Sequence, residues 1–161
     1  GELRMRSFPE TATLAGISIL EVLPRPRTES ITEADIVVAA GRGAGNARGL
    51  SLVAQLAQSL GGVLAGSRPL VEQGLIGHAQ QVGLSGRTVR PKLYLACGIS
   101  GAVQHVAGMR GSDTIIAINR DQNAPIFDVA HVAVVGDLYE VIPELIDLLG
   151  GGKNHVADTA S

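Results

Sequence analysis

The chain repeats one pattern along most of its length: a short apolar run, a glycine-containing loop, and then a stretch with apolar residues three or four positions apart. The runs are rich in Val, Ile, Leu and Ala, which is typical of strands buried on both faces of a sheet. They predict five strands, at residues 36–40, 62–67, 93–98, 114–119 and 131–136.

Two longer stretches predict amphipathic helices. Residues 47–60 have helical spacing and are followed by Gly61 and Gly62, where a helix can end. Residues 138–149 form the last predicted helix, which the glycines at 150–152 are expected to end. The predicted inward faces are Leu50, Val53, Ala54, Ala57 and Leu60 in the first helix, and Leu138, Val141, Ile142, Leu145 and Leu148 in the last.

Shorter helices are predicted near residues 69–73 and 102–109. Alternating buried strands and helices favour an α/β fold, because parallel neighbours must be joined by crossover connections. We therefore expect a three-layer parallel sheet of about five or six strands flanked by helices, a Rossmann-like nucleotide-binding domain.

The first 32 residues lack this organisation. Residues 3–8 alternate apolar and polar like the last strand of a preceding unit, a further strand is predicted at 17–22, and a Pro-rich segment follows. We interpret 1–32 as leader and linker from an N-terminal domain, 33–151 as the main domain, and 152–161 as a C-terminal tail.

Charge and composition exclude several classes of protein. The formal charge is −2 and only 2% of residues are aromatic, so neither a phosphate backbone nor stacked bases have an evident binding surface. The apolar runs are too short to cross a bilayer. Cys97 is the single cysteine, and the four histidines have no metal-ligand spacing. We expect no nucleic acid, membrane or metal partner, and a cytoplasmic or mitochondrial matrix location, with the cytoplasm preferred.

Small, polar and cationic residues follow the predicted strands. In a parallel sheet these positions share one edge, where ligands bind at the point at which strand order reverses. Two arginines there suggest an anion or an electron-rich ring as ligand. The candidates at the strand ends are Arg42, Ser67, Arg68, Ser100, Gly101, Asn119 and Asp137.

The segment GISGAVQH raises two alternatives, a nucleophile elbow or a phosphate cradle. An elbow requires G-x-S-x-G, and Ala102 occupies the last position. If a helix begins near Ser100, His105 lies about 140° around it, so the two side chains do not face each other. The hydrolase interpretation therefore fails. A helix N-terminus opened by Ser100 and Gly101, with N–H groups directed at a phosphate, fits better.

Several candidates also have purely structural explanations. Ser67 is equally well explained as an N-cap, and Asp137 with Glu140 resembles a capping box. Asn119 is either a turn former or a ligand contact. The glycines of GRGAGN do not match G-x-G-x-x-G, so a tight turn explains them as well as a dinucleotide site does.

Residues 91–145 closely resemble the C-terminal FAD domain of electron transfer flavoprotein α subunits. The motifs that carry the resemblance are P-x-L-Y, G-I-S-G-A-x-Q-H-x-A-G-M, A-I-N-x-D-x-x-A-P-I-F and G-D, in that order. The resemblance extends back through QVGLSGRTVRP, GSRPLVEQG and the GRG segment, and covers about residues 34–150. It implies FAD as cofactor, a missing N-terminal domain and a separate β subunit.

The resemblance also implies residue roles. Residues 100–105 would hold the pyrophosphate and approach the flavin, with His105 near the pyrimidine carbonyl. Arg68, beside Ser67, would lie against the isoalloxazine ring with Arg42 close by, loop 81–85 would pass the N5 edge, and Asn119 and Asp137 would reach the adenosine half. The implied cofactor-binding residues are Arg42, Ser67, Arg68, Gln81, Val82, Gly83, Leu84, Ser85, Ser100, Gly101, Ala102, Val103, Gln104, His105, Asn119 and Asp137.

Two positions depart from the family pattern. Ser85 stands where members usually have Thr, which keeps the hydroxyl, and Leu84 stands where many have Gln, which removes an amide. A guanidinium and an imidazole N–H beside the N1–C2=O side of a flavin would favour its reduced form. Electron transfer of this kind needs no acid–base dyad, in keeping with the absence of one among the candidates.

The implied function is that of an electron carrier rather than an enzyme with its own substrate. It would take single electrons from flavin dehydrogenases of the acyl-CoA dehydrogenase type, as in fatty acid oxidation, and pass them to a quinone oxidoreductase or other acceptor as an α/β heterodimer. The alternatives are an NAD- or other nucleotide-binding domain of similar fold, such as that of deoxyhypusine synthase, and a domain that serves only as an assembly surface.

Overall fold

The computed structural model describes residues 30–160, and side chains as far as residue 150. Within this part the chain forms one sheet of five parallel strands, in the order β2-β1-β3-β4-β5. The strands are β1 (Ile36–Ala40), β2 (Val63–Gly66), β3 (Leu93–Cys97), β4 (Thr114–Asn119) and β5 (Val132–Val135). The five predicted strands are confirmed, whereas the strands predicted at 3–8 and 17–22 lie outside the described residues.

The strand order reverses between β1 and β3. From β1 the chain moves outward to β2, then returns to the other side of β1 to form β3 and continues to β4 and β5. The registers Ala40↔Gly66 and Ala40↔Cys97 align the carboxyl ends of β2, β1 and β3. The loops that carry the predicted site therefore meet at one edge of the sheet.

Two long helices cover one face. They are α1 (Ala47–Leu60) and α4 (Leu138–Ala160), which pack on each other and on the sheet. Gly61 ends α1 with a left-handed φ of 73°, as the sequence predicts. The core of this face is formed by Val38, Ala40, Val53, Leu56, Ala57, Leu70, Leu95, Cys97, Ile118, Leu138 and Ile142.

The last helix corrects two predictions. It runs through the glycines at 150–152, where an end was predicted, and Gly150 does not adopt the positive φ of a C-terminal cap. Leu148 is 70% exposed, whereas Ile142 is fully buried and Leu145 and Leu149 pack against the same core. The inward face therefore ends on Leu149 and not on Leu148, because a helix of 3.6 residues per turn returns to the same face four residues after Leu145 and seven after Ile142.

The opposite face is covered mainly by loops. It carries the short helix α3 (Val103–Ala107) and the 3₁₀ turn at Pro125–Asp128, whereas the short helix α2 (Arg68–Glu72) packs Leu70 into the core of the first face. Further 3₁₀ turns lie at Arg42–Ala44 and His78–Gln80. The core on this side is formed by Ile31, Ala34, Val37, Ala39, Ala65, Val82, Val89, Tyr94, Ala96, Ile99, Met109, Ile115, Ala117, Ala124 and Ile126. None of the helices in the described range is long and apolar enough to cross a membrane.

Candidate functional site

The GRGAGN loop after β1 packs on the loop after β3. The N–H of Gly41 donates to the Cys97 carbonyl at 2.9 Å, and that of Gly43 donates to the Gly98 carbonyl at 3.0 Å. A Cβ at Gly43 would lie 2.9 Å from the Cα of Gly98, so a side chain would separate the loops. The tight-turn interpretation of these glycines is confirmed. Arg42 is exposed, and none of the described carboxylates pairs with it.

The loop after β3 presents a row of backbone donors. Gly98 and Gly101 have φ values of 68° and 97°, which reverse the chain between strand and helix. The carbonyl of Ser100 accepts from the N–H of Ile126 at 2.9 Å. The N–H groups of residues 100–104 make no hydrogen bond among the described residues. Such a row of amides is a suitable site for an anion.

The helix that follows corrects the predicted geometry of this loop. It begins at Val103, not near Ser100, and Ala102 is its N-cap. The predicted angle of 140° between Ser100 and His105 therefore does not apply, since Ser100 lies outside the helix. The hydrolase interpretation fails for another reason: Nε2 of His105 is bonded to the hydroxyl of Tyr94, at 2.8 Å, and no hydrogen bond joins His105 to Ser100.

His105 is a buried ionisable group in α3, the short helix after the loop that follows β3. It is 6% exposed, and its Nδ1 is buried with no hydrogen-bond partner among the residues described. Burial lowers the pKa of His105 to about 4, and the nearby Val82 backbone opposes part of this shift. The imidazole is therefore neutral at pH 7, with one ring nitrogen unpaired.

Loop 81–85 crosses above α3. The N–H of Val82 donates to the Gly66 carbonyl at 2.9 Å and that of Leu84 to the Gln104 carbonyl at 2.9 Å. Nε2 of Gln81 donates to the Ser85 hydroxyl at 2.8 Å, which orients that hydroxyl. Gly83 has a φ of 140°. A Cβ at Gly108, the residue after α3, would lie 2.5 Å from the backbone nitrogen of Gly83, so the loop packs directly against the end of α3.

Ser67 and Arg68 begin α2. Ser67 is the N-cap residue, but its side chain makes no capping hydrogen bond. The residue is nevertheless buried, with only 8% of its surface exposed. The capping explanation therefore holds for the backbone of Ser67 and not for its hydroxyl. Arg68 is exposed, and its Nε lies 3.3 Å from Oε1 of Glu72, one turn further along the helix. This carboxylate was not anticipated as a partner of Arg68.

These segments enclose a cleft of about 310 Å³, here called the first cleft. It contains every predicted residue of the strand ends and loops on this side except Val103, which is 79% exposed. Sequence reasoning missed Pro69 and Ile99, which carry no polar group that would have marked them. The lining residues are Arg42, Ser67, Arg68, Pro69, Gln81, Val82, Gly83, Leu84, Ser85, Ile99, Ser100, Gly101, Ala102, Gln104 and His105.

A second cleft of about 500 Å³ adjoins the first, and Arg42 and Ser100 line both. It contains Asn119 and Asp137, as predicted. Both side chains have structural bonds: Nδ2 of Asn119 donates to the Ile99 carbonyl at 2.9 Å, and Oδ1 of Asp137 accepts from the N–H of Tyr139 at 2.8 Å. The turn-forming interpretation of Asn119 and helix capping by Asp137 are thus confirmed, whereas no bond from the Glu140 side chain to the N–H of Asp137 completes the predicted capping box within the described residues. The other oxygen of Asp137 has no hydrogen-bond partner in this part of the chain.

Tyr139 also lines the second cleft and was not predicted there, because its position in the sequence fits an amphipathic helix without any functional signal. Its hydroxyl lies 3.2 Å from Oδ1 of Asn46, which caps α1 through the N–H of Gly49 at 2.7 Å, and Arg48 lies 4.8 Å above its ring. These contacts hold the wall of the second cleft in place. No cluster of three or more potential metal ligands occurs within the described residues.

Comparison with known proteins identifies the family. The model of the electron transfer flavoprotein FAD-binding domain matches residues 30–110. A FixB protein of Clostridium saccharobutylicum is 54% identical over 129 residues, which are 80% of this chain and 39% of that protein. The electron transfer flavoprotein α subunit of Thermoanaerobacterium thermosaccharolyticum is 54% identical over 118 residues, 73% of this chain and 36% of that protein.

A longer match is found in subunit LctC of the lactate dehydrogenase (NAD(+),ferredoxin) of Acetobacterium woodii. It is 43% identical over 155 residues, which are 96% of this chain and 37% of that subunit. The chain therefore spans well under half the length of these curated relatives. The second cleft, with Asn119 and Asp137, lies partly beyond the residues that the family model matches.

Proposed function

The chain belongs to the family of electron transfer flavoprotein FAD-binding domains, and on that premise we propose that FAD lies along its two adjoining clefts. The flavin end occupies the first cleft and the adenosine end the second, with the pyrophosphate at the shared residues Arg42 and Ser100. Binding FAD is the function we propose for this domain, which makes the chain an electron carrier rather than an enzyme with its own substrate.

One observation carries the proposal. The two clefts meet at the loop whose N–H groups 100–104 have no acceptor among the described residues, beside a buried imidazole with an unpaired Nδ1. The imidazole nitrogen is buried, and buried polar atoms without partners are rare and costly when left unpaired, whereas Ser100, Ala102, Val103 and Gln104 are exposed, so their N–H groups are accessible to a ligand. A ligand with oxygen acceptors at both places, a pyrophosphate and a pyrimidine carbonyl, satisfies them together.

The remaining residues of the first cleft orient the ring and set its electrostatic environment. His105 donates to the pyrimidine carbonyl, and Arg68 and Arg42 add positive potential, which favours added negative charge. The hydroxyl of Ser85, which accepts a hydrogen bond from Gln81, would contact the N5 edge of the bound ring. FAD, when bound, supplies the one-electron chemistry. Electron transfer of this kind requires no proton-transferring pair of the protein.

The complete protein acts with partners. We propose that it pairs with a β subunit in the cytoplasm, accepts electrons from flavin dehydrogenases of the acyl-CoA dehydrogenase type, and passes them to a quinone oxidoreductase or another acceptor. The relative named as a lactate dehydrogenase subunit makes a hydroxy acid dehydrogenase a second candidate donor.

Cofactor titration tests the proposal. FAD is added to the purified chain, free cofactor is removed by gel filtration, and the flavin absorption of the protein fraction is recorded, alone and with the β subunit present. The same titration with NAD is the control. Retained flavin bands with FAD support the proposal. NAD binding with no retained FAD under either condition favours the nucleotide-binding alternative, and neither cofactor bound with the β subunit still captured favours an assembly surface.

A further inference from the structure

Tyr94 and His105 form a buried pair beneath the first cleft. Tyr94 lies on β3 and is fully buried, and His105 lies on α3. The Tyr94 hydroxyl and Nε2 of His105 are 2.8 Å apart, and the two rings meet edge to face at 6.1 Å. His105 lines the first cleft, and the opposite nitrogen of its imidazole, Nδ1, is buried and has no hydrogen-bond partner among the described residues.

Counting the donors of this pair distinguishes the two neutral tautomers. If Nε2 of His105 carries the proton, it donates to the phenolic oxygen, and the buried O–H of Tyr94 has no acceptor among the described residues. If Nδ1 carries the proton, the Tyr94 hydroxyl donates to Nε2 and is satisfied. The second arrangement leaves only the Nδ1–H without an acceptor, in a ring that lies near the Val82 backbone and lines the first cleft.

We infer that Tyr94 is a positioning residue that fixes the proton of His105 on Nδ1, so that the ring donates a hydrogen bond into the first cleft. The inference rests on the proposed function for the identity of the acceptor, the pyrimidine carbonyl of FAD. Tyr94 acts through His105 and touches no part of the cofactor.

The burial of both side chains explains why a hydroxyl suits this task. His105 is neutral at pH 7, because burial lowers its pKa to about 4, so only one ring nitrogen carries a proton and the tautomer matters. Burial also raises the pKa of Tyr94 well above its usual value, so its O–H proton is retained. A carboxylate at this position would instead draw the proton to Nε2, away from the cleft.

The tautomer can be measured without cofactor. Histidine-labelled ¹⁵N NMR of the full chain, with His105 assigned by the His105→Gln variant, gives the ratio of the Nδ1–H to the Nε2–H form. We expect at least about a tenfold preference for Nδ1–H. In Tyr94→Phe the preference should fall severalfold, whereas Tyr139→Phe, the matched loss of the other tyrosine hydroxyl, should leave it unchanged.

A wild-type ring protonated on Nε2, or the same ratio in Tyr94→Phe as in the wild type, overturns the inference. The wild-type spectrum decides the first point even if Tyr94→Phe does not fold. This result is independent of FAD binding: the expected tautomer in a chain that retains no FAD, either alone or with the β subunit, would remove the proposed function and leave the Tyr94–His105 relationship standing.

The first reduction potential of the FAD-loaded protein tests whether Tyr94 acts through His105. Both Tyr94→Phe and His105→Gln should lower it. In the double variant the potential should equal that of His105→Gln alone, because a positioning residue has no effect once its target is gone. A double variant whose shift equals the sum of the two single shifts would show that Tyr94 acts independently, and the inference would be wrong.

Discussion

Asn119 at the end of β4 donates from Nδ2 to the carbonyl oxygen of Ile99, at 2.9 Å, and so ties this strand end to the loop that follows β3. Its Oδ1 accepts from the N–H of Asp121 at 2.9 Å, which forms the turn after the strand. One side chain thus connects the ends of β3 and β4. The residue it holds, Ile99, directly precedes Ser100, which lines both clefts.

Asn119→Ala should destabilise the protein by about 1–2 kcal/mol, because the partly buried carbonyl of Ile99 and the exposed N–H of Asp121 lose their partner. Urea unfolding followed by circular dichroism measures the change. Asn123→Ala is the control, since Asn123 is exposed and its side chain makes no hydrogen bond among the described residues. Equal stabilities of the two variants would show that the bond to Ile99 contributes little.

Gly101→Ala should lower the stability of the protein by more than the conformational cost of a non-glycine residue at a positive φ. Gly101 has a φ of 97°, and a Cβ there would collide with the backbone at Ile126. Gly74 has a comparable φ of 76° with no atom within 4 Å of its Cβ position, so Gly74→Ala isolates the conformational cost, about 1–2 kcal/mol. We expect Gly101→Ala to lose at least twice as much stability in the same urea assay. Similar losses would mean that Ile126 moves aside freely.

The strands and α1 were predictable because each depends on local sequence. Continuous β-branched runs specify buried strands, and Gly61 directly follows the last residue of α1. The start of α3 was not predictable in this way. Gly101 holds its loop extended against Ile126, which comes from a turn 25 residues later in the chain, and only the folded structure brings the two together.

The candidate site was predictable as a set of loops but not as a set of contacts. Parallel topology alone places the strand ends at one edge, and Arg42, Ser67 and Ser100 are found there. The bond between Tyr94 and His105 joins a strand to a helix, and the pattern marks Tyr94 only as an apolar strand position. Such pairs depend on how the helix is rotated on the sheet, which hydrophobic periodicity does not determine.

The stability of the protein should fall as the pH is lowered from 6.5 to 4. Burial lowers the pKa of His105 to about 4, whereas the unfolded chain binds this proton near pH 6.5, so acid favours the unfolded state across this window. The contribution of this group amounts to about 3 kcal/mol over the window, at about 1.4 kcal/mol per pH unit. Urea unfolding at several pH values measures the slope.

His105→Gln should have a shallower slope than the wild type between pH 4 and 6.5. His78→Gln is the matched control, because His78 is exposed and should leave the slope as it is. A His105→Gln variant with the wild-type slope would show that other groups are responsible for the acid sensitivity.

Arg68 and Glu72 should shift the first reduction potential of bound FAD in opposite directions. Both side chains are more than 60% exposed and lie 3.3 Å apart, so their ion pair contributes only about 0–1 kcal/mol and does not hold Arg68 away from a ligand. Arg68→Ala removes positive charge beside the first cleft and should lower the potential. Glu72→Gln removes the competing carboxylate and should raise it. One charge near the ring corresponds to tens of millivolts, since about 59 mV equals about 1.4 kcal/mol for one electron.

The pair of Lys92 and Asp35 provides the control for this measurement. It is a similarly exposed ion pair, 3.9 Å apart, placed just before β3 and β1 and so at the opposite edge of the sheet. Lys92→Ala changes the net charge as Arg68→Ala does, but at a distance where solvent and salt screen it. A spectroelectrochemical titration should therefore find the potential of Lys92→Ala within a few millivolts of the wild type. If Arg68→Ala leaves the potential equally unchanged, its guanidinium does not lie beside the flavin, and the arrangement of FAD in the two clefts must be revised.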